Sequence, residues 1–418
     1  MLSLTISGVS SNSGKTILTT ALLYYFRKSV RPFKIGPDFI DPMFHKMVCG
    51  TDSVNLDSFI MNEDQVKWIY NHYSDKKVSI LEGVMGFYDG DNKGCSANSI
   101  SKLLDIPTII ILDGSGSYIT VSAVLKGLLE YKQNTIKAVV LNNISSKMHY
   151  ELIKNIIQKD HQNIIVLGWI QKNLPSLSNT HLGLDLNDLD KIKEISKDVL
   201  KYIDIDSLKL FAKRKRVKNI SYPFKKYKQL DKKIAIVNDK NFSFLYYDNL
   251  RFLQEIFKKV IIVDATKDEK IPKNIDFVYI CGGYVETNEA YENIKNSNRF
   301  RKSLIRHSKK KPIYGECAGL LYLGKKVDNK KMSGILDVNF SLENRFNRLG
   351  YYYDQFGIKG HCFHYTKPID TKDGFNILSK VKNGKGSVGS WRKGAVVGSY
   401  LHIMFRDSFS SRFFIKNK

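Results

Sequence analysis

A mixed α/β protein with two successive parallel-sheet domains is what the sequence predicts. Three observations predict it: short β-branched runs alternating with helical stretches, a break in that alternation near mid-chain, and its resumption afterwards. In the first half the runs are LSLTIS, VSILEG, TIIIL, KAVVL and NIIVLGWI. They are continuously apolar, as strands buried on both faces of a parallel sheet must be. From about Ser207 to Lys233 the strand signal lapses and basic residues crowd in, with KRKR at Lys213–Arg216. The second series opens with KIAIVND and runs through VIIVD, DFVYICGG, PIYGEC and AVVGSYLH. These patterns divide the 418 residues into a domain over 1–206, a basic linker over 207–232 and a domain over 233–418. Doubly wound sheets place their sites at the carboxyl ends of strands, and the motifs below sit there.

Composition sets the outer limits. Apolar residues make up 43% and charged residues 26%, the balance of an ordinary globular protein. The richest apolar stretch, LLDIPTIIIL, is interrupted by Asp105 and Pro107 and is too short to span a bilayer. The N-terminus, MLSLTISGVS, lacks a basic leader and reads as a strand entering a turn. A cytoplasmic protein with no membrane partner is therefore expected. Cys49, Cys95, Cys281, Cys317 and Cys362 are scattered and odd in number, which argues against a disulfide framework and a cysteine zinc site. The net charge of +25 favours nucleotides and polyanionic small substrates through long-range steering. The KRKR run has neither aromatic interleaving nor a recognition-helix pattern, so no nucleic-acid partner is expected. The expected assembly is a monomer or homodimer.

The first strand runs straight into GVSSNSGKT, Gly8 to Thr16, and then into the helical stretch ILTTALLYYF. Strand, glycine-rich loop, Lys-Thr and helix form a P-loop, in which backbone N–H groups cradle phosphates. Ser13, Gly14 and Lys15 are the expected nucleotide contacts, with Lys15 on the β and γ phosphates and the Thr16 hydroxyl on Mg²⁺. The first glycine lies one residue further from Gly14 than the strict motif has it. Downstream, KIGPDFIDPMFH sets Asp38 and Asp41 beside Lys34 in a proline-stiffened loop, and the strand VSIL ends in EGVMGFYDG at Glu82. Carboxylates that hold Mg²⁺ against a triphosphate, and cations that offset charge on a transferred phosphoryl group, suit ATP-dependent carboxylate activation. Thr16, Asp41 and Glu82 are the expected Mg²⁺ donors, and Lys34, Asp38 and Asp41 further contacts. The structural alternative for Asp38 and Asp41 is turn capping.

In the second half, PIYGECAGLLYL reads as a buried strand, a sharp turn at Gly315-Glu316-Cys317 and a leucine-rich helix. A thiol on such a turn is a candidate nucleophile, with helix N-terminal N–H groups expected to lower its pKa and help bind an oxyanion. Its base is expected to be His402 in GSYLHIMF. Gly282 and Gly283 of CGGY, with the Ala318 N–H, are the expected oxyanion donors.

Taken together, GVSSNSGKT, KIGPDFIDPMFH, NLDSFI, EGVMGFYDG, HLGL, FSFLYYDNL, GGYVE, YGECAGLLYL, GHCFHYT and GSYLH resemble the cobyrinic acid a,c-diamide synthases, glutamine-dependent amidotransferases of corrin-ring biosynthesis. The resemblance spans nearly the whole chain. It implies a P-loop NTPase-type domain of dethiobiotin-synthetase-like fold, followed by a class I glutamine amidotransferase domain. The implied reaction is amidation of the a and c side-chain carboxylates of cobyrinic acid through acyl phosphates, in cobalamin biosynthesis. ATP, Mg²⁺, glutamine and a corrinoid tetrapyrrole would take part. The same reaction on hydrogenobyrinic acid or nickel-sirohydrochlorin is the near alternative, and a basic P-loop partition or regulatory ATPase the distant one. The resemblance also implies Cys and His without the glutamate usual two residues after the histidine, and Met404 stands there. Cys362, Thr180 and Val285 replace a glutamate, an arginine and a proline common in the family motifs. His45, His361 and His364 lie in family motifs, which implies contact with a macrocycle or the ordering of loops.

Overall fold

The structure, a computed structural model, describes residues 1–174, 179–180, 183–184, 189–215, 220–369, 373–406 and 408–409. It divides into two compact units, Met1–Pro223 and Phe224–Lys418. No helix among the described residues is long and apolar enough to cross a membrane.

In the first unit, β1 (Leu2–Gly8), β2 (Val30–Ile35), β3 (Val54–Leu56), β4 (Val78–Gly83), β5 (Thr108–Asp113), β6 (Ile136–Ile144) and β7 (Ile165–Gln171) form one sheet. Its order is β3-β2-β4-β1-β5-β6-β7, and every pair is parallel. Between the strands run α1 (Lys15–Phe26), α2 (Ile40–Cys49), α3 (Glu63–Tyr73), α4 (Ala97–Leu103), α5 (Ile119–Tyr131) and α6 (Lys147–Asp160). Leu4 and Ile6 of β1, Ile80 of β4 and Ile109 of β5 are fully buried together with Leu18 and Leu22 of α1. Burial on both faces is why these strands read as unbroken apolar runs. A two-stranded hairpin, β8 (Asn179–Thr180) and β9 (Gly183–Leu184), precedes α7 (Leu189–Leu200) and α8 (Ile205–Phe211). Leu208 and Ala212 complete the core of this unit. His181 of the HLGL motif and Arg216 of the basic run lie outside the described residues.

The second unit starts with β10 (Leu230–Val237), α9 (Tyr247–Ile256), β11 (Phe257–Val263), β12 (Phe277–Ile280), α10 (Asn288–Ile294) and α11 (Asn298–Ser308). Next come β13 (Ile313–Glu316) and α12 (Ala318–Leu323). Short strands follow: β14 (Lys326–Val327), β15 (Lys330–Lys331), β16 (Asn339–Leu342), β17 (Arg348–Asp354), β18 (Lys359–His364) and β19 (Thr366–Pro368). The chain then forms β20 (Gly374–Ser379), β21 (Ser387–Lys393) and β22 (Val396–Ser399). The main sheet has the order β11-β10-β12-β13-β22-β21-β20-β17-β18. Only the first five strands are parallel; from β22 onward all pairs are antiparallel. A doubly wound sheet was the expectation, so this half departs from it. The reason is visible in β17, where buried, intermediate and exposed residues are interspersed, as in a sheet with one wetter face.

The segment after β22 is tied to α9. The Asn249 side chain donates to the Ile403 carbonyl at 2.8 Å and accepts from the Phe405 N–H at 2.8 Å. Arg406 is buried and reaches Asp248 at 2.9 and 3.0 Å and Glu255 at 2.8 and 3.0 Å. Removing one partner of a buried ion pair strands the other charge. Arg406→Met is accordingly expected to destabilise this unit by about 3 kcal/mol in urea unfolding. A change within ~0.5 kcal/mol of wild type would show that the ion pair does not anchor the segment.

Candidate active site

Three adjacent strands of the first sheet, β2, β4 and β1, deliver the predicted nucleotide residues from their carboxyl ends. Parallel register sets Lys34 of β2 directly beside Glu82 of β4, and Ile6 of β1 beside Glu82 on its other side. The loop after β1 turns on Gly14, whose φ of 98° lies in the left-handed region. A Cβ there would also come within 2.6 Å of the Asn142 side-chain nitrogen and displace it. Asn142 donates to the Ser13 carbonyl at 2.9 Å and fixes the loop from β6. Lys15 opens α1, and its ammonium donates to the Ser10 carbonyl at 2.6 Å. Burial and the charge of Lys34 lower its pKa, while Glu82, Asp41 and Asp89 oppose that.

Glu82 is the centre of this cluster and is 0% exposed. Its Oε1 accepts from the Thr16 hydroxyl at 2.9 Å and lies 3.4 Å from the Lys34 ammonium. Its Oε2 lies 2.7 Å from His45 Nε2, and His45 Nδ1 lies 3.1 Å from the Ser53 hydroxyl. Burial alone would raise the Glu82 pKa; the Lys34 charge, His45 and the Thr16 hydroxyl hold it well below the carboxylate range. Burial likewise works against the charge on Lys34, but Glu82, Asp41 and Asp38 keep the ammonium well above its ordinary range. Asp41 is paired with Lys34, yet its burial and the charges of Glu82 and Asp38 push its carboxyl up to about 6. Asp38 has two jobs. Its Oδ1 accepts from the N–H groups of Ile40 and Asp41 at 2.9 and 3.3 Å, the turn-capping role, while Oδ2 lies 3.5 Å from Lys34.

In the second unit the predicted thiol residues also lie at neighbouring strand ends, and the Cys317 thiol faces the Phe363 carbonyl at 4.0 Å. Cys317 sits between β13 and α12 with φ 46° and ψ −104°, outside the favoured regions for an L-residue. Such a backbone stores about 1–3 kcal/mol and persists only where its surroundings enforce it. Here the Cys317 N–H donates to the Ser399 carbonyl of β22 at 2.8 Å, stitching the turn to the adjacent strand. His402 follows that strand and exchanges backbone hydrogen bonds with His361 of β18 at 2.8 and 3.0 Å. Gly282, just past β12, abuts the His402 ring so closely that a Cβ would fall 2.3 Å from Cε1. Gly283 packs instead against the Asn241 carbonyl. Ala318 is buried as the first residue of α12.

The electrostatics of Cys317 correct one expectation. Its thiol is pushed well above the usual range by burial, then by the carboxylate of Glu286, the Cys362 thiol and Glu316. The Ala318 N–H acts in the predicted downward direction but loses to burial. The thiol therefore depends on a base to become a nucleophile.

Sequence reasoning named His45 and His364 without their partners and missed Asn55. His45 is fully buried with both ring nitrogens engaged, so it holds Glu82 in place and orders this loop. Asn55 of β3 donates to the Gly36 and Asp38 carbonyls at 3.0 and 2.7 Å and shapes the acidic loop. His364 stacks on Tyr400 with ring centroids 3.6 Å apart, and its Nδ1 lies 2.9 Å from the Thr366 carbonyl. Burial and Arg348 keep it well below the ordinary imidazole range. Among the described residues no three His, Cys, Asp or Glu side chains converge as a metal cage.

Comparison with known proteins follows the same division. Residues 4–212 match the CobQ/CobB/MinD/ParA nucleotide binding domain, and residues 233–409 match the CobB/CobQ-like glutamine amidotransferase domain. A cobyrinate a,c-diamide synthase from Fusobacterium nucleatum is 34% identical, covering 97% of both chains. One from Methanocaldococcus jannaschii is 32% identical over 95% of this chain and 94% of its own. Another, from Streptococcus sanguinis, is 33% identical over 96% and 95%. With a nucleotide-binding unit, a glutamine amidotransferase unit and identity sustained end to end, the chain belongs to the cobyrinate a,c-diamide synthase family of glutamine-dependent, amide-forming ligases.

Proposed function

We propose that the protein amidates the a and c side-chain carboxylates of cobyrinic acid, using ATP to activate each carboxylate and glutamine to supply the nitrogen. In the first unit a substrate carboxylate oxygen attacks the γ-phosphorus of ATP, the bond to ADP breaks, and an acyl phosphate forms. Ammonia then attacks the acyl carbon and phosphate leaves. Lys15 and Lys34 offset the negative charge gathered where triphosphate and carboxylate meet. Thr16 and Glu82, with Asp41, are hard oxygen donors of the kind Mg²⁺ takes, and they would hold it beside the phosphates. When bound there it supplies charge screening between two anions.

In the second unit His402 takes the proton of Cys317, and Sγ attacks the side-chain amide carbon of glutamine. The C–N bond breaks as ammonia leaves with a proton, and water later cleaves the γ-glutamyl thioester to glutamate. Ala318 and Gly282 and Gly283 contribute backbone N–H groups toward the developing oxyanion.

The observation that carries the reading is the Cys317 backbone. A thiol held in a strained strand-to-helix turn, stitched to the strand that precedes His402, is built for attack rather than packing. The direct experiment supplies cobyrinic acid, ATP, Mg²⁺ and amide-labelled ¹⁵N-glutamine and weighs the products. Two labelled amides are expected. With hydrogenobyrinic acid and nickel-sirohydrochlorin supplied in parallel reactions, labelling confined to one of those would move the substrate assignment while keeping the chemistry.

Cys317→Ala and His402→Ala should each lower glutamine-dependent amidation by about 10³-fold or more, yet leave ammonia-driven turnover within about twofold of wild type. Glutamate release at the wild-type rate from Cys317→Ala would remove it as nucleophile. Lys15→Ala should cost both nitrogen sources about 100-fold or more, since it acts on phosphoryl transfer.

Geometry separates the two aspartates. Asn at 38 keeps the Oδ1 acceptor for Ile40 and Asp41, whereas Asn at 41 removes the charge paired with Lys34. Asp41→Asn should therefore reduce turnover at least about tenfold more than Asp38→Asn, with ATP affinity changed little in either. Equal, near-normal turnover in both variants would leave the acidic loop as scaffold.

A further inference from the structure

A cysteine–histidine pair needs something to orient the imidazole and stabilise its charged form. In triad enzymes a carboxylate on Nδ1 does this, and the residue two positions after His402 is Met404, which has none. The structure supplies a carboxylate from elsewhere. Glu316 Oε2 lies 3.4 Å from His402 Nδ1. Glu316 ends β13, and His402 follows β22, the neighbouring strand in which Ser399 is the register partner of Glu316.

The carboxylate is itself held in position. The Tyr279 hydroxyl of β12 donates to Oε2 at 3.0 Å, and the Tyr314 hydroxyl of β13 donates to Oε1 at 3.2 Å. Both tyrosines are buried, and their rings stack with centroids 5.8 Å apart. Glu316 is only 2% exposed. Burying a carboxylate at that depth is costly, and two neutral phenol donors compensate it less completely than a cation does. An imidazolium arising 3.4 Å away during turnover supplies that missing counter-charge. A pair at this separation in the resting protein tightens as the ring gains its proton. Gly282 pressing on Cε1 and the Phe244 ring, 6.2 Å from the imidazole centroid, restrict how the ring can turn.

We propose that Glu316 is the positioning residue for His402, replacing the triad acid that Met404 cannot provide. The nucleophile and the residue orienting its base are thus adjacent in sequence, in the dipeptide Glu316-Cys317. This inference rests on the assignment of Cys317 and His402 to glutamine hydrolysis. The competing role for Glu316 is structural, as a buried acceptor for two tyrosine hydroxyls.

Glu316→Gln distinguishes these roles because it keeps the shape and an acceptor for tyrosine while removing the charge. Glutamine hydrolysis should lose kcat roughly 100-fold or more, by analogy with triad acids changed to amides. The KM for glutamine, the melting temperature and ammonia-driven amidation should stay near wild type. Glu316→Asp, which retains the charge on a shorter arm, should recover part of the lost kcat. Wild-type kcat in Glu316→Gln overturns the proposal, as does a loss shared with the ammonia-driven reaction. If Glu316→Gln does not fold, Tyr279→Phe serves instead, since it frees the carboxylate oxygen that faces His402. It should lower kcat for glutamine alone, and an unchanged kcat there counts against the proposal. Cys317→Ala measured alongside keeps the two claims apart. If that variant still hydrolyses glutamine, the assignment of the nucleophile has failed; if it does not while Glu316→Gln does so normally, only the role of Glu316 has.

Discussion

A carboxylate with no access to water costs several kcal/mol unless its neighbours replace the lost solvation, and Glu82 is in that position at the end of β4. Everything around it answers that requirement. Lys34 lies 3.4 Å away on the strand to one side, Thr16 donates from the start of α1, and His45 reaches it from α2. Lys34 is in turn buried and draws Asp38 and Asp41 toward itself. These groups come from two strand ends, the loop after β2 and two helices, so they can meet only if the parallel register and the α1 and α2 packing are right. The electrostatics of the site and the fold of the first unit are one problem.

The second unit repeats the logic with weaker partners. Glu316, like Glu82, is a buried carboxylate at the end of a parallel strand, but its close neighbours are two phenols and an imidazole. A site that binds a triphosphate needs permanent cations. A site that cycles a proton between sulfur and nitrogen needs a base whose charge appears only during turnover. On the proposed mechanism, the difference between Lys34 and His402 as the counterpart of a buried carboxylate follows from that difference in chemistry.

Much of this was legible in the sequence because local rules dominate where strand, loop and helix are consecutive. Lys15 and Thr16 follow a strand and open a helix, and Cys317 sits at a strand-to-helix turn, so short windows sufficed. The parallel strands were legible because burial on both faces writes continuous apolar runs. What depends on distant pairing was not. His45 looked like a residue for substrate or loop because nothing local says that Glu82 is its partner 37 positions on. Glu316 was hidden by its neighbour, the cysteine of the same turn. The antiparallel half of the second sheet was missed because its strands are only partly buried and mix buried with exposed positions, a weak periodic signal. The pKa of Cys317 was misjudged for a related reason: the helix N–H is local, while the burial that outweighs it is made by the whole unit.

In the proposed mechanism a substrate carboxylate is phosphorylated at the Glu82–Lys34 cluster before nitrogen arrives. Oxygen tracing tests it directly. Cobyrinic acid carrying ¹⁸O in its carboxylates, turned over with ATP and glutamine, should transfer one labelled oxygen to inorganic phosphate for each amide formed. Phosphate free of label, the oxygen lost from each carboxylate appearing in AMP or in water instead, would contradict an acyl phosphate and with it this mechanism for the first unit.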